Sequence, residues 1–181
     1  MNIKAKLHIA LFSITTLSFL FGQISQDVSP KSFTYPPNQT VTTITMPDLD
    51  VDALHAEDEN RPSWKPFRYG HKFTVDLSPS NSGSWWELSN GSRIWRLKIE
   101  STGAFALSLE FDRFHLPLHS TLHVYSPEKS EIYGAYTSKN NNPDNIFATP
   151  LVKGDAVIVE FFLPKTSEEF SLHLFEVIHD N

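Results

Sequence analysis

Between Arg93 and Phe111 apolar residues return at every second position, and this spacing restricts the possible folds more than any other feature of the chain. In the run from Arg93 to Glu100, Trp95, Leu97 and Ile99 share one side. Arg96, Lys98 and Glu100 share the other, with Ile94 as the exception. The run from Ala104 to Phe111 alternates more cleanly: Phe105, Leu107, Leu109 and Phe111 against Ala106, Ser108 and Glu110. An extended strand points successive side chains to opposite faces, so both runs predict strands packed on one face and wet on the other. Phe105, Leu107, Leu109 and Phe111 are therefore expected to be buried together with Trp95, Leu97 and Ile99. Further strands are expected at 71–77, 85–89, 121–126, 131–136, 155–163 and 169–178. Turn residues separate them at Ser82-Gly83, Asn90-Gly91, Thr102-Gly103, Pro127-Glu128, Asn140 to Pro143 and Lys153-Gly154-Asp155. About eight short strands at this spacing predict a mainly β domain over 71–181, an antiparallel, jelly-roll-like β-sandwich.

The residues before His71 follow other rules. Lys4 and Lys6 precede an apolar run from Leu7 to Phe21, and the small Gly22 precedes the polar Gln23. Positive start, apolar middle and small residue mark 1–22 as a secretory signal peptide, and the chain as secreted or periplasmic. The run falls short of the roughly 20 apolar residues of a membrane span, so no membrane attachment is expected after cleavage. Residues 23–70 read as an extended arm, because Pro30, Pro36 and Pro37 disfavour helix near its start. Asp50 or Asp52 is placed to cap a short acidic helix that runs to Glu59 and stops before Pro62. Trp64, Phe67 and Tyr69 are expected to pin the arm to the sandwich.

Charge and cysteine content exclude several functions. Loss of the leader removes two lysines and no acids, leaving 13 basic against 21 acidic residues, a net charge of −8. Phosphate-backbone binding needs clustered Lys and Arg, so no nucleic acid is expected. The acidic balance favours a partner with a basic face. With no cysteine there is no thiol nucleophile, no thiolate zinc site and no lipid-modified cysteine.

The expected catalytic residues are none. There is no Gly-x-Ser-x-Gly elbow, and Gly154-Asp155 continues into Ala156 and reads as a tight turn. No metal or other cofactor is expected. His71, His115, His119, His123, His173 and His179 lie in or beside strands and read as surface residues, His123 pointing outward between Leu122 and Val124. Asp48, Asp50, Asp52 and Glu59 match part of a calcium-loop spacing. Ala53 stands where the loop needs glycine, however, and a capped helix fits better. The candidate partner- or ligand-binding residues are aromatic. Trp85 and Trp86 are adjacent, so one must face outward, and Tyr133 and Tyr136 are candidates to join it. Such a surface would stack on a sugar or lie under a partner domain.

Several stretches, in order, resemble a known family: MPDLDVDALHAEDE at 46–59, KPFRYG at 65–70, SGSWWELSNGSRIWRLKIESTGAFALSLEFDRFHLP at 82–117, LHVYSP at 122–127, GAYTSKNN at 134–141 and ATPLVKGDAVIVEFFLP at 148–164. Together they are similar to the N-terminal prodomain of secreted lysyl endopeptidase-like and other trypsin-like serine peptidases of Bacteroidetes-type bacteria. The resemblance implies a folding or inhibitory prosegment whose partner is a serine peptidase catalytic domain. The chain stops at His179-Asp-Asn181, about where such a prodomain would end. It is therefore expected to be a stand-alone relative of the prodomain or the front of a broken gene, and no catalytic residue carries over. The alternative is a stand-alone carbohydrate- or surface-binding β-sandwich module.

Overall fold

The computed structural model describes residues 24–37, 39–60, 62, 64, 70–166 and 169–180. The expected leader at 1–22 and the expected anchoring by Phe67 and Tyr69 lie outside these residues. The described chain is mainly β and forms two packed sheets.

The first sheet holds β4 (Arg93–Glu100), β10 (Ala156–Leu163), β6 (Thr121–Tyr125) and β7 (Ile132–Tyr136), side by side and antiparallel. Two strands share the outer edge of β4 end to end. β3 (Ser84–Glu87) pairs antiparallel with one half, and β1 (Thr43–Thr45) pairs parallel with the other. A hydrogen bond between the Thr42 and Ser84 hydroxyls joins them where they meet. The second sheet runs β2 (His71–Leu77), β11 (Ser171–Asp180), β5 (Ala106–His115), with β8 (Phe147–Ala148) and β9 (Val152–Lys153) sharing the free edge of β5.

The alternation has the expected cause. Trp95, Leu97 and Ile99 point inward from β4, and Leu107, Leu109 and Phe111 from β5, into one apolar core. Val157, Val159 and Phe161 of β10 and Leu172, Leu174 and Val177 of β11 complete it. Phe105 is the correction. β5 starts at Ala106, and the turn before it swings Phe105 to 73% exposure while Ala104 takes the buried position. A second departure lies near the end of β5. His173 pairs with Arg113 and Leu174 with Phe111, so Asp112 is an extra residue. This bulge reverses the parity, and Phe114 rather than Arg113 faces the core.

The arm is not simply extended. Pro30 precedes a single helical turn, α1 (Lys31–Thr34), and Pro36 follows it. Proline lacks only an N–H that a first turn leaves unpaired, so these prolines bracket the turn rather than forbid it. α2 (Val51–Glu59) is the expected acidic helix, and the Asp50 carboxylate caps it by accepting the Ala53 N–H at 3.0 Å. β1 was not foreseen, although Val41-Thr-Thr-Ile-Thr45 is an unbroken run of β-branched residues.

Between Gln26 and Phe33 the arm crosses the outer face of the first sheet. Gln26 and Ala135 exchange two backbone hydrogen bonds, 3.1 and 2.9 Å, along β7. His123 donates Nε2–H to the Val28 carbonyl at 2.7 Å. Glu160 accepts the Ser32 N–H at 3.0 Å on one carboxyl oxygen and the Tyr125 hydroxyl at 2.9 Å on the other. Phe33 meets Tyr125 edge-on, with centroids 5.3 Å apart. His123 does face away from the core, but the arm covers it and leaves it 1% exposed, so it is not a surface histidine.

His123 and His179 are thus both buried. Burial lowers the pKa of His123 chiefly by desolvation, against the pull of the Val28 carbonyl and Glu160. His179 is lowered by burial and then by nearby His71. A histidine depressed in the folded state contributes stability above its unfolded pKa of about 6.5, lost as pH falls through the folded value. The urea midpoint is expected to drop between pH 7.5 and pH 5. His123→Gln keeps an N–H for Val28 but cannot titrate, and should flatten part of that drop. A midpoint constant over this range would show that neither histidine is held neutral by the fold.

Candidate functional site

The four aromatics singled out in the sequence do not meet. β3 and β7 lie at opposite edges of the first sheet, four strand spacings or roughly 19 Å apart. Tyr136 is 2% exposed, packs edge-on against Phe147 at 4.8 Å, and its phenol is pushed up to about 12 by burial. Tyr133 packs half-buried against the core. Neither joins the tryptophans in one surface. Trp85 and Trp86 do point to opposite faces, as adjacent strand residues must. Trp86 lies on the outer face with the Arg96 guanidinium over its ring at 4.9 Å. Trp85 turns toward the core and against Phe161 and Phe170, with centroids 6.0 and 6.2 Å away.

Trp85 forms a wall of a cleft at one end of the sandwich, with a volume of about 480 Å³. The loop 78–82 forms another wall. It is held by its own polar atoms: the Ser78 N–H donates to Asn81 Oδ1 at 2.8 Å, and Asn81 Nδ2 donates to the Asp76 carbonyl at 3.0 Å. The indoles fix it from below, Trp85 donating to the Pro79 carbonyl at 2.9 Å and Trp95 to that of Ser82 at 2.8 Å. The loop closes at Gly83, φ +71°, where a side chain would also strike the Trp95 indole.

On the second sheet, three strands converge at the cleft. Asp76 of β2, His173 of β11 and Asp112 of β5 form a chain across them. The imidazole contacts Asp76 Oδ1 through Nε2 at 2.8 Å and Asp112 Oδ1 through Nδ1. The bulge at Asp112 turns that carboxylate toward His173. Arg113 beside it and Arg93 of β4, which stacks on Trp85 at 4.8 Å, bring two guanidinium groups to the cleft. Sequence reading missed Asp76, Asp112 and both arginines, and it placed His173 among the surface histidines although its side chain is only 12% exposed between the two carboxylates. Its one available signal was the consecutive polar pair Asp112-Arg113, which breaks the alternation of an otherwise regular strand.

The parts of a hydrolytic triad occur here in pieces. His173 has carboxylates on both nitrogens, so neither is left to take a proton from a nucleophile. Ser101 Oγ lies 2.7 Å from His179 Nδ1, but Ser101 is 1% and His179 0% exposed, and His179 Nε2 has no partner among the described residues. A serine nucleophile needs a base that is itself oriented, and access to substrate. Neither pair has all of these. No group of three or more His, Asp or Glu suited to a metal occurs among the described residues.

The family model described as the lysyl endopeptidase N-terminal domain matches residues 78–175, from the cleft loop into β11. No solved structure matches the chain.

Proposed function

Since the chain belongs to the lysyl endopeptidase N-terminal domain family, we propose that it is a non-catalytic, exported partner of a secreted serine endopeptidase. It assists folding of the catalytic domain or blocks its cleft. The observation that carries this reading is the family match over the sandwich. The separation of Ser101-His179 from Asp76-His173-Asp112 supports it, because neither group can activate a nucleophile. The leader pattern read in the sequence at 1–22 fits a partner that meets the peptidase outside the cytoplasm. The mechanism is steric: two sheets locked by a common core offer a preformed surface on which another domain can fold.

The mature chain is expected to hydrolyse no peptide or ester. Added in trans to a denatured catalytic domain of a related peptidase, it should raise the refolded yield or inhibit the folded enzyme. Neither effect on several such domains, alongside measurable binding to an insoluble glycan, would replace this reading with that of a carbohydrate-binding module.

A further inference from the structure

We infer that the cleft between Trp85, Arg93 and Arg113 is a carboxylate-reading site for an acidic peptide segment, an Asp or Glu beside an apolar residue. The inference does not depend on which partner presents the segment.

The polar groups around the cleft divide into those already committed and those still available. Asp76 and Asp112 both hold His173. Ser78, Asn81 and Ser82 satisfy one another and the loop backbone, and the Ser80 hydroxyl bonds that of Ser78 at 2.7 Å. Apart from the Ser171 hydroxyl, what remains is cationic. Arg93 has no carboxylate within ion-pair distance among the described residues. The Trp85 ring covers the flat face of the guanidinium and leaves its edge donors open. Arg113 reaches Asp112 only at 3.9 Å, through Nε. A guanidinium edge matches a carboxylate bidentately, and such charge-assisted bonds are stronger than neutral ones.

The rest of the cleft selects among anions. Trp85 and Phe170 give it an apolar wall, which suits an uncharged side chain next to the carboxylate. A sugar would need many hydroxyl partners, and the loop's donors and acceptors are spent on itself. The chain as a whole carries a net charge of −6, and that surrounding field disfavours polyanions and dianionic phosphate more than a single carboxylate. The acidic balance favours a basic partner face over most of the surface. At this one place the two arginines offset the local carboxylates, Asp76 and Asp112, which are turned onto His173.

The test is a titration of the full mature chain with a short blocked peptide carrying Glu between Leu and Phe, against the same peptide with Gln. Trp85 indole N–H and Arg93 Nε–H resonances provide the readout. The Glu peptide is expected to saturate and shift both signals, and the Gln peptide to bind about tenfold more weakly or worse. Arg93→Glu and Arg113→Glu, both at exposed positions, should each abolish the difference while the cooperative unfolding transition remains. Arg93→Lys keeps the charge without the fork and should fall between. Equal binding of the Glu and Gln peptides, no binding of either, unchanged selectivity in both charge reversals, or tighter binding of an oligogalacturonate would overturn the assignment.

Discussion

Phe161→Ala is expected to lower the unfolding free energy by about 3–5 kcal/mol, the largest effect of any single truncation proposed for this chain. Phe161 is fully buried on the central strand β10, and its ring meets Phe170 at 4.9 Å and Trp85 at 6.0 Å. Removing it leaves a cavity between the two sheets that rigid strands cannot close. Phe105→Ala is the control. Its ring is 73% exposed, and the cost should stay within about 0.5 kcal/mol. Urea denaturation of both variants decides the matter. Similar midpoints for the two would mean that the core is not where these sheets place it.

Glu160→Ala should act on the arm. Its carboxyl group is 1% exposed and receives one hydrogen bond from the Ser32 backbone and one from Tyr125. Truncation leaves the buried Ser32 N–H without its acceptor and the Tyr125 hydroxyl with only Ser32 Oγ at 3.4 Å, at about 1–3 kcal/mol, with more if a charge is lost from a paired position. The Tyr125 hydroxyl, whose pKa is raised by burial and then by Glu160, would lose that acceptor but keep its cover. The arm from Gln26 to Tyr35 should therefore loosen before the sandwich unfolds, and limited proteolysis should cut it first. Glu160→Gln retains an acceptor for Ser32 and should be milder. An arm as resistant in Glu160→Ala as in the parent would show that the other arm contacts suffice without this group.

The sequence made strand positions readable where one face of a strand is wet. His71–Leu77 and Arg93–Glu100 were read with their observed ends for that reason. β10 was located but its environment was not, because Ile158 and Glu160 point outward and are nonetheless covered. What covers Glu160 is a segment more than a hundred residues away in sequence, which periodicity cannot register. The same blindness misplaced His123. The four aromatics do not form one surface for a related reason. Alternation tells which face a residue takes but not which strands become neighbours, so Trp85 and Tyr133 were grouped although four strand spacings divide them. Phe105 failed locally, because the turn around Gly103 ends the strand pattern one residue before the apolar spacing does. Asp76, Asp112 and His173 converge only through strand order and a bulge.

The positions of β10 and β11 also govern when the chain can fold. These last two strands in sequence are interior to the two sheets: β4 meets β6 only through β10, and β2 meets β5 only through β11. While the chain is being made, neither sheet can close until the segments around 156–163 and 171–180 have left the ribosome. Until then, alternating apolar strands with open edges wait for partners, and pairing across such long loops is slow. The nascent chain is thus kept unpaired late, a state exposed to aggregation if no holdase attends it. A stop codon only a few dozen residues early would remove the middle of both sheets rather than trim an end.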